Sequence, residues 1–447
     1  MITPESSTQT GTIQQFYEAL MRSDSYSAKQ LTAFQDNVLK DLLPFVASNV
    51  PFYKDKLKPV FHSDGRYNPE GWTKLPIISI KEVGAHYDAF RASEIPAAHG
   101  RAARHMSSGS TGKPVAFHRS ALSEAGQNAA HYRQCSIFKL DTTRNLTMIR
   151  AFDSTVSRTR STPQDPAKPR WAAEWFAGTS PGIIESLTVF TPLTDQVAWL
   201  CERGEIYLNT FPSNALAIAR HVARHPQNKP RILAILTVGE LLTEEVRRQC
   251  AEHLGCRCID ILSNAEAGLI AGDCPQENVQ HVLSELCRVE ILDKTNRPAK
   301  QGVWGRLIVT PLYNFAMPLI RYDTGDLVRV APPCRCGRSH QAIEREMGRP
   351  SNLLRSTNKQ WFRPELDSGK MEDLLGGFRW QLVQAGTKAF ELNYMPTNTG
   401  SGVKERELRA FMKTKLGPHA SLKIKPVAAL GVSSSGKFLS TLNRSST

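Results

Sequence analysis

The 447-residue chain has no apolar run near the ~20 residues that a membrane-spanning helix needs. Its longest is RILAILTVG, at 231–239. The opening stretch, MITPESSTQTGTIQQF, holds neither a basic leader nor an apolar core, so no signal peptide is expected and the chain reads as cytoplasmic. Blocks of like charge are missing too, although 56 Lys and Arg outnumber 42 Asp and Glu and the net charge is +14. A scattered basic surplus suits a nucleotide or another small polyanion and argues against nucleic acid as a partner. Nor is there an even set of paired cysteines. The nine cysteines include two Cys-x-Cys pairs too tight for an easy disulfide. Reduced thiols or a metal site are therefore expected, rather than a secreted disulfide framework. With 40% hydrophobic and 22% charged residues, a disordered or collagen-like chain is excluded.

The apolar pattern that is present has two periods. Ile13, Phe16, Tyr17, Leu20 and Met21, then Leu39, Leu42, Leu43 and Val46, recur at helical spacing and predict amphipathic helices over 13–60, broken at Pro51. From about 100 to 345, short apolar runs alternate with helical stretches such as NALAIARHVARH (214–225) and EEVRRQCAEHLG (244–255). The runs are LTMIRAF (146–152), EIYLNTF (205–211), RILAILTV (231–238), RCIDILS (257–263), LCRVEILD (286–293) and RLIVTPL (306–312). Such alternation predicts an α/β layer with a substantially parallel sheet. The Ser-, Arg- and Pro-rich segment 153–171 reads as a long loop. Beyond 348, FRWQLVQ (378–384) and KAFELNY (388–394) predict a hairpin, 403–417 a helix ending at Gly417, and SLKIKPV (421–427) a last strand. The chain thus divides into 1–347, with a mainly helical lead-in over 1–100, and a small α+β lobe at 348–447. No internal repeat is visible.

The first chemical signal is MSSGSTGKPV (106–115). Exposed amides and hydroxyls in such a loop can wrap phosphate oxygens, and Lys113 adds charge. It is not a Walker A loop, because the first glycine is absent and Pro114 stands where a Mg2+-binding hydroxyl belongs. Alone, it could equally be a surface turn. A second signal is soft-ligand spacing. Cys334 and Cys336 lie in a Pro/Gly loop, PPCRCGRSH, and Cys274 and His281 in DCPQENVQH supply another pair, which together fit a closed Cys3His zinc site. The competing pair, Cys256 and Cys258, reads as strand core.

Taken in order, the phosphate loop, TVGELLTEE (237–245), ILSNAEAGLIA (261–271), PLIRYDTGDL (318–327), GRPSN (348–352) and SSSGKF (433–438) resemble the motifs of the adenylate-forming superfamily. Its phenylacetate–CoA ligase-like branch is the nearest match, sharing NVPFYKDKL, LPIISIKEV, CPQENVQHV followed by VEILD, and CRCGRSH. The resemblance implies a large N-terminal domain of mixed, largely parallel sheets with helices, plus the small mobile C-terminal lobe. It implies that an organic acid, aryl or arylacetic in the first instance, is activated with Mg-ATP as acyl-AMP and passed to a thiol, most simply CoA. A carrier-protein thiol, an amine or a sugar is the alternative acceptor, and a zinc-stabilised binding protein without catalysis is the rival from another class. Some members of this branch carry a structural zinc from residues comparable to the cysteine–histidine set. A homodimer is left open.

Residue by residue, the resemblance assigns Ser107, Ser108, Gly109, Ser110, Thr111, Gly112 and Lys113 to the ATP phosphates, and Gly239 and Glu240 to the adenine side. Asn264 and Glu266 fall in the Mg-ATP motif, Asp326 in the ribose motif, Arg349 in the hinge, and Lys437 in the C-terminal loop. The roles make physical sense. A carboxylate attacking a phosphate meets anion repulsion, which Mg2+ on Glu266 and the Lys437 ammonium would relieve. Asp326 can accept both ribose hydroxyls. Phe138, Phe152, Trp171, Trp175 and Phe176 fall where the family builds its acid pocket. Three departures stand out. Ser351 and Asn352 replace an acidic hinge pair, 353–364 lacks a glycine expected at the thioester step, and Ala265 replaces a hydroxyl residue before Glu266.

Overall fold

The structure, a computed structural model, describes residues 9–107, 115–151, 169–348, 353–356, 361–364, 366, 368–396, 402–428, 430 and 440–444. Two amphipathic helices, Gln9–Ser23 and Ala28–Asn49, form the lead-in. Ser27 starts the second one. Its hydroxyl accepts from the Gln30 amide while the Gln30 side chain accepts from the Ser27 amide, a reciprocal cap. Leu31, Val38, Leu39, Leu42, Leu43 and Val46 then bury one face, and the helix ends at Val50, just before Pro51. Among the described residues no helix is long and apolar enough to cross a membrane.

A hairpin of β1 (Ala102–Met106) and β2 (Ala116–Ser120) leads into the helix Ala121–Ile137. The main sheet follows, built from β3 (Asn145–Arg150), β4 (Ile184–Thr188), β5 (Ile206–Thr210), β6 (Ile232–Val238), β7 (Arg257–Asn264), β8 (Gly268–Asp273), β9 (Gln280–Val282), β10 (Cys287–Leu292), β11 (Trp304–Pro311), β12 (Tyr322–Val330) and β13 (Ala342–Gly348). Its order is β10-β11-β12-β13-β9-β8-β7-β6-β5-β3-β4, an 11-stranded sheet. β4, β3, β5, β6 and β7 run parallel, and every ladder from β7 to β10 is antiparallel. The sheet is mixed, as expected, but less parallel than the alternation predicts, since LCRVEILD and RLIVTPL, counted in that alternation, became the antiparallel β10 and β11. The helix expected over 244–255 is regular only through Glu244–Gln249 and closes in a wider turn at Cys250–Leu254.

Buried acids stitch this sheet together. Glu285 is enclosed by Arg133 Nη1 (2.7 Å), His340 Nε2 (2.8 Å) and the Ser23 hydroxyl, which tie the first helix to the antiparallel half. Burial alone would raise its carboxyl pKa, but Arg133 and His340 outweigh that and hold it far below the carboxylate range. Between the halves, Gln280 Nε2 bridges Asp260 Oδ2 (3.0 Å) and Asp273 Oδ1 (3.1 Å). Arg247 grips Asp273 Oδ2 at 2.7 Å, and Arg345 of β13 donates to Asp260 Oδ2 at 2.9 Å.

Farther along the chain, β14 (Leu354–Arg355) pairs with β15 (Trp361–Phe362). A four-stranded sheet follows, made of β16 (Gly377–Gln384), β17 (Ala389–Pro396), β18 (Ser421–Pro426) and β19 (Thr441–Asn443) in the order β18-β17-β16-β19. β16 and β17 are the expected hairpin, and the helix Glu405–Leu416 packs Leu408 and Met412 into a core with Met371, Leu382 and Leu392.

Candidate active site and metal centre

Parallel strands present the loops after their carboxyl ends along one edge of a sheet, which is where open α/β sheets bind ligands. At that edge stand Arg150 after β3, Phe211 after β5, Gly239 and Glu240 after β6, and the turn Ala265–Ala267 after β7. Neighbouring strands lie ~4.8 Å apart, so these groups form one row. The Arg150 guanidinium lies 4.8 Å from the Phe211 ring centroid and donates to Asn209 Oδ1 at 3.0 Å. Burial lowers its pKa and the charge of Glu240 opposes this, which couples the two residues. Glu240 has a structural engagement as well. Its Oε2 accepts the Ser213 amide at 3.0 Å in the first turn of the helix Pro212–Arg224, where a carboxylate is favoured.

Glu266 occupies the β7–β8 turn and is 8% exposed. Asn264 shapes that turn. Its Oδ1 accepts the Ala267 amide at 2.6 Å, and its Nδ2 is buried with no partner among the described residues. Arg119 of β2 donates from Nη2 to the Ala265 carbonyl at 2.5 Å, which joins this turn to the strand that leaves the phosphate loop. Ser107 closes the mouth of that loop. Its amide donates to the Val115 carbonyl, and its hydroxyl accepts the Val115 amide, both at 2.8 Å. Ser108, Gly109, Ser110, Thr111, Gly112 and Lys113 lie outside the described residues, as do Phe152, Arg349, Ser351, Asn352 and Lys437.

Asp326 is 8% exposed and sits on β12, four strands from β7 in the pairing order. The register slips between Arg306 and Ile308, so residues 324–326 bulge from the ladder. Gly325 takes the positive φ of 74° that the bulge needs, and Thr324 Oγ1 accepts the Asp326 amide at 3.1 Å. A bulge of three residues against one, Leu307, thus places the carboxylate.

Cys274, His281, Cys334 and Cys336 converge, their ligand atoms all within 4.8 Å of one another. Cys274 Sγ is 3.6 Å from Cys334 Sγ, and Cys336 Sγ is 3.2 Å from His281 Nε2. A tetrahedral zinc with Zn–S and Zn–N bonds of about 2.3 and 2.0–2.1 Å has ligand–ligand edges of roughly 3.5–3.8 Å, so the set fits. The His281 ring is oriented by a contact of 3.2 Å from Nδ1 to the His340 carbonyl, which leaves Nε2 for a metal. Burial, with Arg338 beside it, pushes its pKa down to about 4, so the imidazole is neutral and ligand-competent. Cys256 and Cys258 are core residues, both 5% exposed.

The aromatic residues require a correction. Trp171 donates to the Arg144 carbonyl at 2.7 Å and packs on Tyr207, while Phe138 lies in the cluster with Leu146 and Tyr207. Phe176 stacks on Tyr132 and meets Tyr17 edge-on, and Trp175 packs against both tyrosines. These contacts gather at the amino end of β3, at the opposite end of that strand from Arg150, ~17 Å away along its six residues. A cleft of about 430 Å³ opens there, between Tyr17, Ser136, Lys139, Asp141 and Trp175. The four aromatics therefore do not line the carboxyl edge. The sequence reading also missed Arg119 and Arg150. Arg150 lies within the run LTMIRAF, and no run marks Arg119.

No established protein-family profile matches the chain. It is 26% identical over 345 residues, 73% of its own length and 72% of the relative's, to a phenylacetate–coenzyme A ligase of Thermus thermophilus. Among solved structures, 2-hydroxyisobutyryl-CoA ligase in the postadenylation state superposes with a TM-score of 0.70 at 17% identity, covering 94% of this chain and 91% of that one. In the thioesterification state, with 2-HIB-AMP and CoA bound, the same enzyme gives 0.58 at 18% identity over the same shares. The fold is that of the adenylate-forming ligases.

Proposed function

We propose that this chain, a relative of the phenylacetate–CoA ligases with an adenylate-forming fold, is an ATP-dependent acid–thiol ligase. A carboxylate oxygen attacks the α-phosphorus of ATP and pyrophosphate leaves. A thiolate then attacks the acyl carbon of the acyl-AMP and AMP leaves. The observation that carries the reading is the Glu266 turn. A carboxylate stands there at the carboxyl edge of the parallel strands, on a turn whose Ala265 carbonyl accepts from Arg119 of the strand that leaves a Ser/Gly/Lys loop. Mg2+, a hard cation, would be held by Glu266 and by ATP oxygens, and it would neutralise charge on the phosphates.

Ser107 positions the loop whose amides and Lys113 receive the phosphates. Gly239 and Glu240 border the adenine, and Asp326 accepts the ribose hydroxyls. Residues 348–447 form the second unit of the chain, moving about Arg349 and bringing Lys437 to the reacting carboxylate. Both the acceptor, CoA, and the arylacetic character of the acid are supported by the name of the Thermus relative. The described aromatics lend the acid no support. Zinc would be held by Cys274, His281, Cys334 and Cys336, a closed set with a structural role, because four protein ligands leave no open position. Metal analysis is expected to find about one zinc per chain.

ATP–pyrophosphate exchange over aryl, arylacetic and aliphatic acids, with and without CoA, tests the reading. Exchange is expected with arylacetic acids, and AMP release is expected only when CoA is added. If no acid supports exchange, the ligase reading is lost.

A further inference from the structure

We propose that Arg119 is a positioning residue for Glu266, gripping the backbone of the β7–β8 turn and linking it to the hairpin that carries the phosphate loop. The inference rests on Glu266 as the magnesium ligand. Arg119 Nη2 donates to the Ala265 carbonyl at 2.5 Å and lies 3.4 Å from that of Asn264, the two residues before Glu266. The guanidinium is partly buried, and burial lowers its pKa against the opposing charges of Glu124 and Glu266. Glu124 is already engaged by His105 Nε2 at 2.7 Å. Glu266 is thus the acid beside Arg119 that belongs to the turn Arg119 holds.

The far end of the turn is held from the helix Ala121–Ile137. Gln127 Oε1 accepts the Leu269 amide, and Gly268 at φ 81° makes this approach feasible, since a Cβ there would stand 2.6 Å from the Gln127 side chain. With the bond from the Ala267 amide to Asn264 Oδ1, the turn is pinned at its start, middle and end. Mg2+ demands near-octahedral geometry, so a carboxylate on a loose turn is a poor ligand. Because the grip comes from β2, a shift of the hairpin when phosphate binds reaches Glu266 through one guanidinium–carbonyl bond. One nitrogen, Nη2, faces both carbonyls, and a lysine ammonium on its shorter stem does not reach the same point.

Calorimetric titration with ATP, with and without Mg2+, reads the metal's share of binding as a ratio of two affinities. In Arg119→Met the ratio is expected to fall about tenfold or more, the range of positioning shells around metals, while metal-free ATP affinity stays the same. Arg119→Lys should recover part of the loss. An unchanged ratio overturns the inference, and so does an equal loss of metal-free affinity, which would mark a merely structural role. Should Arg119→Met not fold, Arg119→Lys decides, and a wild-type ratio there overturns the inference. Wild-type protein that shows the magnesium increment without acid-dependent exchange would remove the proposed reaction and leave this role standing. Wild-type protein with no increment would remove both.

Discussion

The two halves of the main sheet use the same interactions for opposite ends. In the parallel half, polar side chains collect in the loops beyond the strands. Arg150, Glu240, Asn264 and Glu266 line one edge there, and Asn264 Nδ2 is left without a partner among the described residues. In the antiparallel half they turn inward onto one another, as Glu285 does with Arg133, His340 and Ser23, although His340 Nδ1 and Gln280 Oε1 also find no partner among the described residues. Parallel strands must cross over through helices, so their ends open into loops that can carry chemistry. Antiparallel strands return through short turns and leave room for closed buried networks. Substitutions in the closed buried networks should therefore alter folding, and those at the carboxyl edge and at the β12 bulge, reaction.

The largest effect is expected at Glu285. Glu285→Ala leaves the buried Arg133 charge with only the more distant Asp24 carboxylate, at 3.7 Å, and should cost about 3–5 kcal/mol in urea unfolding. Native-like stability would break the comparison. The pH dependence follows from the depressed native pKa of this acid. Its contribution is full above the unfolded value near 4.3 and is lost as pH falls below it, from about pH 5 downward. The stability gap between wild type and Glu285→Gln should narrow over that range. Next comes Glu266→Gln, expected to lower pyrophosphate exchange about 10²–10³-fold with little change in melting temperature. A melting loss to match would assign Glu266 to the scaffold. Asp326→Asn should raise the KM for ATP by roughly 10-fold or more, the value of one or two bonds to a charged acceptor. Trp175→Ala is expected to change acid selectivity less than about twofold, since distant sites act independently. A larger change would bring the amino edge into the acid pocket.

Much of the fold could be read from the chain. Helical spacing from Ile13 to Val46 and the two-residue period of 378–394 depend on neighbours in sequence, and both became the elements expected. The cysteine–histidine set was legible because loop cysteines have few structural uses, and its four ligand atoms do converge. The aromatics were misplaced for a reason of direction. Trp171, Trp175 and Phe176 follow the phosphate loop in sequence, but whether a segment meets the amino or the carboxyl end of a strand depends on topology. Arg119 was invisible for a related reason, because a single arginine at a strand end carries no period. The turn it grips is 145 residues away.

The Arg345–Asp260 pair has a consequence for movement. Both side chains are largely shielded, 13% and 4% exposed, and Arg345 lies on β13, the last strand of the main sheet in chain order. If the proposed lobe at 348–447 turned by peeling β13 away, a charge would be abandoned in the interior, at a cost of about 3–5 kcal/mol. Swivelling beyond it leaves the pair intact. The gatepost is thus set in the sheet at Arg345, and whatever swings must swing from a point farther along the chain.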